Sequence, residues 1–171
     1  GTLIADRLPA TALLAGVSLS LAVLLALGLA LLAAYFAGTW LDQLLGAVAI
    51  VGVALPSFLV GLVLLVLFAL KWQHWTGLPA TGYVLQPSVF GPGTYWDGAA
   101  LVLPALTLGL RPLSLFYQLT REQLETQLAR PYVRTARGKG LSRGRLLVRH
   151  VLPNSLNPLV TAFSGWVAAL F

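Results

Sequence analysis

The sequence predicts an all-α protein, a polytopic transmembrane helical bundle with about four spans and one short helix on the cytoplasmic side. Of its 171 residues, 58% are hydrophobic and only 9% are charged, whereas a soluble domain usually carries about a quarter charged residues. The mean hydropathy is +0.85. Several uncharged stretches exceed the roughly twenty residues that a helix needs to cross the hydrocarbon core. We therefore expect the helices to expose apolar sides to lipid.

The first two spans are predicted from uncharged stretches. Residues 10–39 contain no charged side chain, and residues 43–70 form a second such stretch that is interrupted only by Pro56-Ser57. A membrane helix tolerates a proline when neighbouring groups satisfy the freed carbonyl, so we expect a kink there. The short turn between the two stretches predicts an antiparallel helical hairpin.

The third and fourth spans are less regular. The third extends over about residues 98–120 and contains Pro104, Arg111 and Pro112, and the fourth begins near Leu152. Gly1 is not an initiator methionine and Phe171 lies in an apolar run. We therefore expect one transmembrane domain over residues 1–171 that is incomplete at both ends.

The distribution of basic residues predicts the orientation. Eight of the eleven Lys and Arg residues lie between the third and fourth spans, at Arg121, Arg130, Arg134, Arg137, Lys139, Arg143, Arg145 and Arg149. By the positive-inside rule the loop of about residues 121–151 is cytoplasmic, and the loop of about residues 71–97 is extracytoplasmic. The outer loop carries interfacial aromatic residues, namely Trp72, Trp75, Tyr83, Tyr95 and Trp96. Asp42 lies in a turn that is also predicted cytoplasmic, but acidic residues weigh little in the rule.

The first helix carries a small residue at every fourth position, namely Ser18, Ala22, Ala26, Ala30, Ala34 and Gly38. Such a stripe permits close approach of membrane helices. Chance spacing in an alanine-rich helix is the alternative. Either interpretation concerns packing rather than chemistry.

Residues with catalytic or metal-binding patterns are scarce. The two histidines, His74 and His150, are predicted on opposite sides of the membrane, and the chain has no cysteine. The sequence GKG at residues 138–140 lacks the Ser or Thr that follows Lys in a phosphate-binding loop. We predict no catalytic residue, metal site or cofactor in this chain, and no nucleic-acid partner.

Arg111 is the one ionisable residue predicted at membrane depth. Such a charge faces protein or water rather than lipid, which makes Arg111 a candidate for the translocation pathway. Alternatively, its side chain snorkels or pairs near the cytoplasmic side. Pro112 next to it removes a backbone donor and affects the local helix geometry.

The segment from residue 131 to 161 contains a short basic helix at about residues 132–139. Gly138 and Gly140 are suited to end this helix, and Ser142 is suited to cap the next one. A short surface helix is a natural docking element for a groove in a soluble partner. The alternative is a solvated basic loop that fixes topology and contacts anionic lipid.

The spacing in this segment resembles the EAA loop of the permeases of bacterial ABC importers. Thr135-Ala136-Arg137, Gly140, His150 and Leu152-Pro153 lie at the positions of that motif. Thr135 replaces its acidic residue, Arg137 its second alanine and His150 its hydrophobic residue. These departures, within YVRTARGKGLS at residues 132–142, resemble the dipeptide, oligopeptide and nickel branch. Further similar blocks are RLPAT at 7–11, GTWLD at 38–42, ALPSF at 54–58, LPALTLGL at 103–110 and LTR at 119–121.

The resemblance implies a multi-pass permease subunit in the bacterial inner membrane, importing dipeptides or oligopeptides. It implies pairing with a second permease subunit, docking of residues 132–149 on ABC ATPase subunits that bind ATP and Mg²⁺, and delivery of substrate by an extracytoplasmic binding protein. The implied ATPase-coupling residues are Tyr132, Arg134, Thr135, Ala136, Arg137, Lys139, Gly140, Leu141, Leu152 and Pro153.

Other interpretations stay open at this point. Nickel or glutathione import by the same machinery would use a similar permease. A channel or scaffold outside the ABC class would use the basic loop for topology only. A secondary transporter should carry carboxylates within its spans or broken half-helices around an ion site near the membrane midplane, and the predicted spans contain no carboxylate.

Overall fold

The computed structural model describes residues 2–80, 85–87, 94–96 and 98–169. It contains eight α-helices within these residues, α1 (Thr2–Tyr35), α2 (Trp40–Ala54), α3 (Ser57–Leu64), α4 (Gln73–Thr76), α5 (Ala99–Leu128), α6 (Pro131–Gly138), α7 (Arg143–Leu146) and α8 (Leu152–Ala169). Two π-helical segments, Leu65–Lys71 and Leu147–Val151, follow α3 and join α7 to α8. The predicted all-α bundle is confirmed, with one small addition.

That addition is a two-stranded antiparallel ribbon in the loop of residues 71–97. Strand β1 (Leu85–Pro87) pairs with β2 (Thr94–Trp96), and Gln86 lies opposite Tyr95. Tyr83, which was predicted to belong to an interfacial aromatic group, and the end of this loop at Asp97 lie outside the described residues. Trp72 and Trp75 of the same group are exposed.

The small-residue stripe of α1 is buried. Ser18, Ala22, Ala26, Ala30 and Ala34 are each at most 3% exposed. The burial agrees with the predicted packing role for these five residues, because small side chains let neighbouring backbones approach closely, whereas Gly38, the sixth residue of the predicted stripe, lies beyond the end of α1 and is exposed. Several of the large side chains between them are exposed, and Leu24 is 68% exposed.

The second predicted span is broken rather than kinked. Helix α2 ends at Ala54, Pro56 adopts extended geometry, and α3 begins at Ser57. The ring of Pro56 removes a backbone donor and disfavours helical geometry at the residue before it, so the helix ends there. Beyond α3, the π-helical segment extends to Lys71.

Fewer helices meet the criteria for a membrane span than the four predicted. Within the described residues, the segment Thr11–Tyr35 of α1 and the whole of α5 are long and apolar enough. Helix α2 is long and apolar enough only when it is combined with α3 and the π-helical segment that follows it. The two parts form a bent pair, which is either one broken span or a re-entrant loop. The count is therefore two or three. Over its described residues, helix α8 is not apolar enough to count as a membrane span, because Pro and Asn residues occupy its first two turns.

The third span is longer than predicted. Helix α5 begins at Ala99, close to the predicted start, but continues past residue 120 to Leu128. Eight residues of the loop predicted at 121–151 therefore extend a membrane helix. Thr107 in its first half donates its hydroxyl to the carbonyl of Leu103 in the preceding turn, so this polar side chain is satisfied within the helix.

The chain divides into two compact units. The first combines Gly1–Leu21 with Ala54–Arg111. Its helices α3 and α5 approach closely, since a β-carbon on Gly61 would lie only 3.0 Å from Cγ2 of Thr107. A cavity of about 450 Å³ adjoins this contact and is lined by Gly61, Leu65, Pro79, Ala80, Ala100, Leu103, Pro104, Thr107 and Leu108.

The second unit combines Ala22–Val53 with Pro112–Phe171. Its largest fully buried side chains include Leu124 of α5, Val133 of α6 and Leu146 of α7. Val151, at the end of the second π-helical segment, is buried as well. Because the basic loop contributes fully buried side chains of its own, it is a packed part of this unit.

Candidate functional site

The candidate functional site is the basic loop of residues 121–151, and α6 is its most exposed helix. Pro131 begins α6, where a missing backbone N–H is harmless and the fixed φ angle favours a helix. Val133 is 1% exposed and holds the helix to the core. Arg134, Thr135 and Arg137 are exposed. Helix α6 is therefore amphipathic and presents a basic face outward.

A glycine-dependent turn ends α6. The N–H of Gly140 donates to the carbonyl of Arg137 at 2.9 Å, and the N–H of Leu141 donates to the carbonyl of Ala136 at 3.4 Å. These two bonds form a Schellman motif, whose C′ residue adopts the left-handed conformation. Gly140 has φ of +78°. The prediction that glycine ends this helix is confirmed for Gly140, whereas Gly138 is an ordinary last helical residue.

Ser142 occupies the predicted position before α7 but makes no side-chain capping hydrogen bond. Its backbone is extended, as expected for an N-cap residue, and its carbonyl accepts the N–H of Leu146 at 2.9 Å. The predicted position of Ser142 is thus correct and the predicted capping bond is wrong. Because Ser142 is exposed, the first N–H groups of α7 can bond water instead.

Tyr132 links α6 to the start of α8 through one glutamine. The Tyr132 hydroxyl donates to Oε1 of Gln127 at 3.2 Å, and Nε2 of Gln127 donates to the carbonyl of Asn154 at 3.4 Å. Pro158 lacks the N–H that would bond this carbonyl in a regular helix. The first turn of α8, which contains Leu152 and Pro153, is thereby tied to α5 through Gln127 and, through the same side chain, to Tyr132 of α6.

Next to the turn between α1 and α2 (residues 36–39), an ion pair joins the first turn of α2 to α5, where the basic loop begins. Gly38 has φ of +84°, and its N–H donates to Oδ2 of Asp42 at 3.0 Å. Arg121 of α5 donates from Nε to Oδ1 and from Nη2 to Oδ2 of Asp42, at 3.1 and 3.0 Å. Both side chains are largely buried, with 14% and 16% exposed. Arg121 also pairs with Glu125, one turn further along α5.

A second contact joins the basic loop to the end of α1. Nη2 of Arg143 donates to the carbonyl of Ala34 at 3.1 Å. In a continuing helix this carbonyl would accept the N–H of Gly38, but that N–H bonds Asp42 instead. Arg143 therefore satisfies a carbonyl that the end of α1 leaves free, and its positive charge suits a helix C-terminus.

The predicted coupling residues differ in exposure. Six are exposed, namely Arg134, Thr135, Arg137, Lys139, Gly140 and Pro153, and four are partly buried, namely Tyr132, Ala136, Leu141 and Leu152. Residues 132–141 form one continuous surface of α6 and its terminal turn. Leu152 and Pro153 lie at the start of α8, which the Gln127 bonds connect to α6.

Arg111 lies in the first unit, at an exposed position on α5. Within the described part of the chain it forms no hydrogen bond or ion pair, so its predicted pathway role stays a prediction.

The contacts of Asp42, Arg121 and Arg143 that hold this site were not predicted from the sequence. Asp42 and Arg121 are 79 positions apart, and Arg143 and Ala34 are 109 apart, so no local spacing reveals either contact. One signal was available, because a lone carboxylate next to long apolar stretches requires a partner.

Metal binding has no support in the described side chains, among which no group of three or more His, Asp or Glu residues could hold an ion.

Comparison with known proteins shows what this chain is similar to. Residues 26–170 match the family described as binding-protein-dependent transport system inner membrane component. The probable D,D-dipeptide transport system permease protein DdpB of Escherichia coli is 35% identical over 170 residues, which cover 90% of this chain and 49% of that protein.

Two further relatives have similar names. The di/tripeptide transport system permease protein DppB of Pseudomonas aeruginosa is 35% identical over 81% of this chain and 45% of its own length. The dipeptide transport system permease protein DppB of Haemophilus influenzae is 33% identical over 95% of this chain and 52% of its own length. The chain thus spans about half the length of the curated relatives that it matches.

Proposed function

Because the chain belongs to the family of binding-protein-dependent transport system inner membrane components, we propose that it forms part of a permease subunit that imports dipeptides or oligopeptides at the expense of ATP. The names of the relatives, which refer to dipeptide and di/tripeptide transport, support this substrate class. The subunit lies in the bacterial inner membrane with several spans. The basic loop faces the cytoplasm, as the positive-inside rule requires.

The exposed basic face of α6 carries the proposal. A buried Val133 and a glycine-dependent turn hold this short helix in one orientation, while Arg134 and Arg137 stay exposed. A rigid surface helix suits insertion into a groove of an ATPase subunit. A loop that fixed topology alone would need the charges but neither the packing nor the left-handed turn.

The partners follow from the same proposal. ABC ATPase subunits bind ATP and Mg²⁺ and contact the predicted coupling residues. A second permease subunit completes the translocation pathway, and an extracytoplasmic binding protein delivers the peptide. No nucleotide chemistry is assigned to this chain.

The proposed mechanism is alternating access. The ATPase subunits change their separation between nucleotide states, and the docked α6 moves with them. Nucleotide binding shifts the membrane equilibrium only if the ATPase interacts differently with the inward-open and outward-open states. Because α6 shares a core with α5 and α7, its displacement is transmitted to membrane helices rather than absorbed by a loose loop.

Uptake by the reconstituted importer tests this function. The full-length permease, its partner permease, the ATPase subunits and the binding protein are placed in liposomes, and uptake of a labelled dipeptide is measured with and without ATP. Nickel chelates and glutathione serve as competitors. We expect ATP-dependent dipeptide uptake that neither competitor suppresses. Uptake of nickel or glutathione alone would contradict the peptide assignment.

A further inference from the structure

The docking loop contacts the membrane-spanning part of the second unit at more places than its own ends. Helix α5 precedes the loop and α8 follows it, so both move with it through the covalent chain. Helix α1 has no such connection, because it lies more than a hundred positions earlier in sequence. Its contact with the loop depends on the side chain of Arg143 and on the packing of Gly144.

The contact has a polar half and an apolar half. Nη2 of Arg143 bonds the carbonyl of Ala34, the last but one residue of α1, at 3.1 Å. Next to it, a β-carbon on Gly144 would lie 3.7 Å from Cε2 of Tyr35, which is ordinary van der Waals contact. The ring of Tyr35 therefore lies against the backbone of α7, directly after the turn that ends α6.

The turn between α1 and α2 is held in place by a second set of contacts. Gly38 turns the chain away from the axis of α1, and Asp42 receives both its N–H and the guanidinium of Arg121. Helix α2 is thus bound to α5 at the point where α1 is bound to the loop. Residues 36–39 are fixed from two directions, so a displacement of α7 cannot be absorbed by slack in this turn.

We propose that Arg143 is a positioning residue that makes α1 follow the movement of the docking loop. The inference rests on the proposed importer function and adds a second route for the displacement: from α6 through the Gly140 turn to Arg143 and Gly144, and from there to α1. A single hydrogen bond is sufficient for this role if it is made in one state of the transporter and weakened in the other. In this role Arg143 acts through its contact with α1 and not by binding nucleotide or peptide.

The test measures coupling separately from docking. Arg143→Ala is introduced into the full-length permease and reconstituted with its partner subunits, and three quantities are recorded: co-purification of the ATPase subunits, ATP hydrolysis, and peptide transported per ATP hydrolysed. We expect normal co-purification and a decrease in transport per ATP of about fivefold or more, the lower end of usual coupling effects. Arg143→Lys, which keeps a charged donor, should restore most of the ratio.

Two further variants control for charge and for folding. Lys71→Ala removes an equal charge from an exposed residue outside the basic loop that makes no side-chain hydrogen bond or ion pair within the described part of the chain, and it should keep the wild-type ratio. Tyr35→Ala removes the apolar half of the contact from the α1 side. It should also lower the amount of peptide transported per ATP hydrolysed. This variant replaces Arg143→Ala in the test if Arg143→Ala is recovered in too low a yield.

The possible failures are distinguishable. If the ATPase subunits do not co-purify with the wild-type permease, the proposed function is refuted and this inference with it. If they co-purify and Arg143→Ala transports as much peptide per ATP as wild type, only the positioning role is overturned. A variant that loses the ATPase subunits would place Arg143 in the docking surface, which also overturns the role.

Discussion

Asp42 shows how one side chain can organise a helix end without belonging to the site that it supports. Its carboxylate accepts the N–H of Gly38 and two N–H groups of Arg121. A bidentate pair of this kind is stronger than a single neutral hydrogen bond and fixes the geometry of both partners. The sequence offered Asp42 only as a weak exception to the charge rule, because its partner lies on a different helix.

The ion pair between Asp42 and Arg121 should contribute to the stability of the second unit. We expect Asp42→Asn and Arg121→Gln each to lower the free energy of unfolding by about 2 kcal/mol, since charged hydrogen bonds in a partly buried setting are lost. The double variant should lose little more than either single one. Thermal unfolding of the detergent-solubilised permease measures all three.

Glu122→Gln is the matched control for this cycle. Glu122 lies next to Arg121 on α5 and is exposed, so removal of its charge should change the unfolding temperature little. Additive losses in the double variant would show that Asp42 and Arg121 do not interact.

Gly140 could be predicted from sequence because its requirement is local. We expect Gly140→Val to weaken binding of the ATPase subunits while membrane insertion stays normal, because a β-branched residue at φ of +78° costs about 1 to 2 kcal/mol or more. No atom lies within 4 Å of the position of its β-carbon, so the cost comes from the backbone. Pull-down of the ATPase subunits measures the effect.

Gly138→Ala separates this backbone effect from a general sensitivity of the loop. Gly138 is helical and has open space around it, so alanine should be neutral or slightly stabilising. Equal losses in both glycine variants would argue against a special role for the left-handed turn.

At the scale of whole elements, the apolar stretches of the sequence predicted the positions of the helices but not the positions of the breaks within them. Residues 43–70 read as one span, yet Pro56 divides them into α2 and α3. A proline inside an apolar stretch is compatible with a kink or with a break, and tertiary packing decides between them. Likewise α5 continues to Leu128 because amphipathic residues extend the helix beyond the apolar part.

The packing of α3 against α5 depends on a glycine whose role the sequence did not reveal. We expect Gly61→Ala to destabilise the first unit by about 1 to 3 kcal/mol, since its β-carbon would lie 3.0 Å from Cγ2 of Thr107 and the hydrogen bond from the Thr107 hydroxyl to the carbonyl of Leu103 keeps that methyl group in place. Gly46→Ala in α2, where nothing lies within 4 Å, is the matched control. Thermal unfolding in detergent compares the two, and equal unfolding temperatures would contradict this account of the contact.

At the scale of the whole molecule, composition predicted the membrane environment and the positive-inside rule predicted its orientation. We expect a cysteine at Lys139 to be shielded from a membrane-impermeant thiol reagent added to intact cells, and a cysteine at Gln86 to react. This chain contains no native cysteine that would add background. The opposite labelling pattern would reverse the orientation and remove the basic loop from the cytoplasm.

The central claim is that α6 docks on an ATPase subunit, and cross-linking tests it most directly. A single cysteine replaces Arg134 on the exposed face of α6 in the full-length permease, and a second variant carries it at His74, which is also exposed. After assembly with the partner subunits, a thiol-to-amine cross-linker is added. We predict a cross-linked product with an ATPase subunit from the Arg134 position, with a yield that changes on ATP binding, and none from His74. An intact complex that yields no product from Arg134, or equal products from both positions, would contradict the claim.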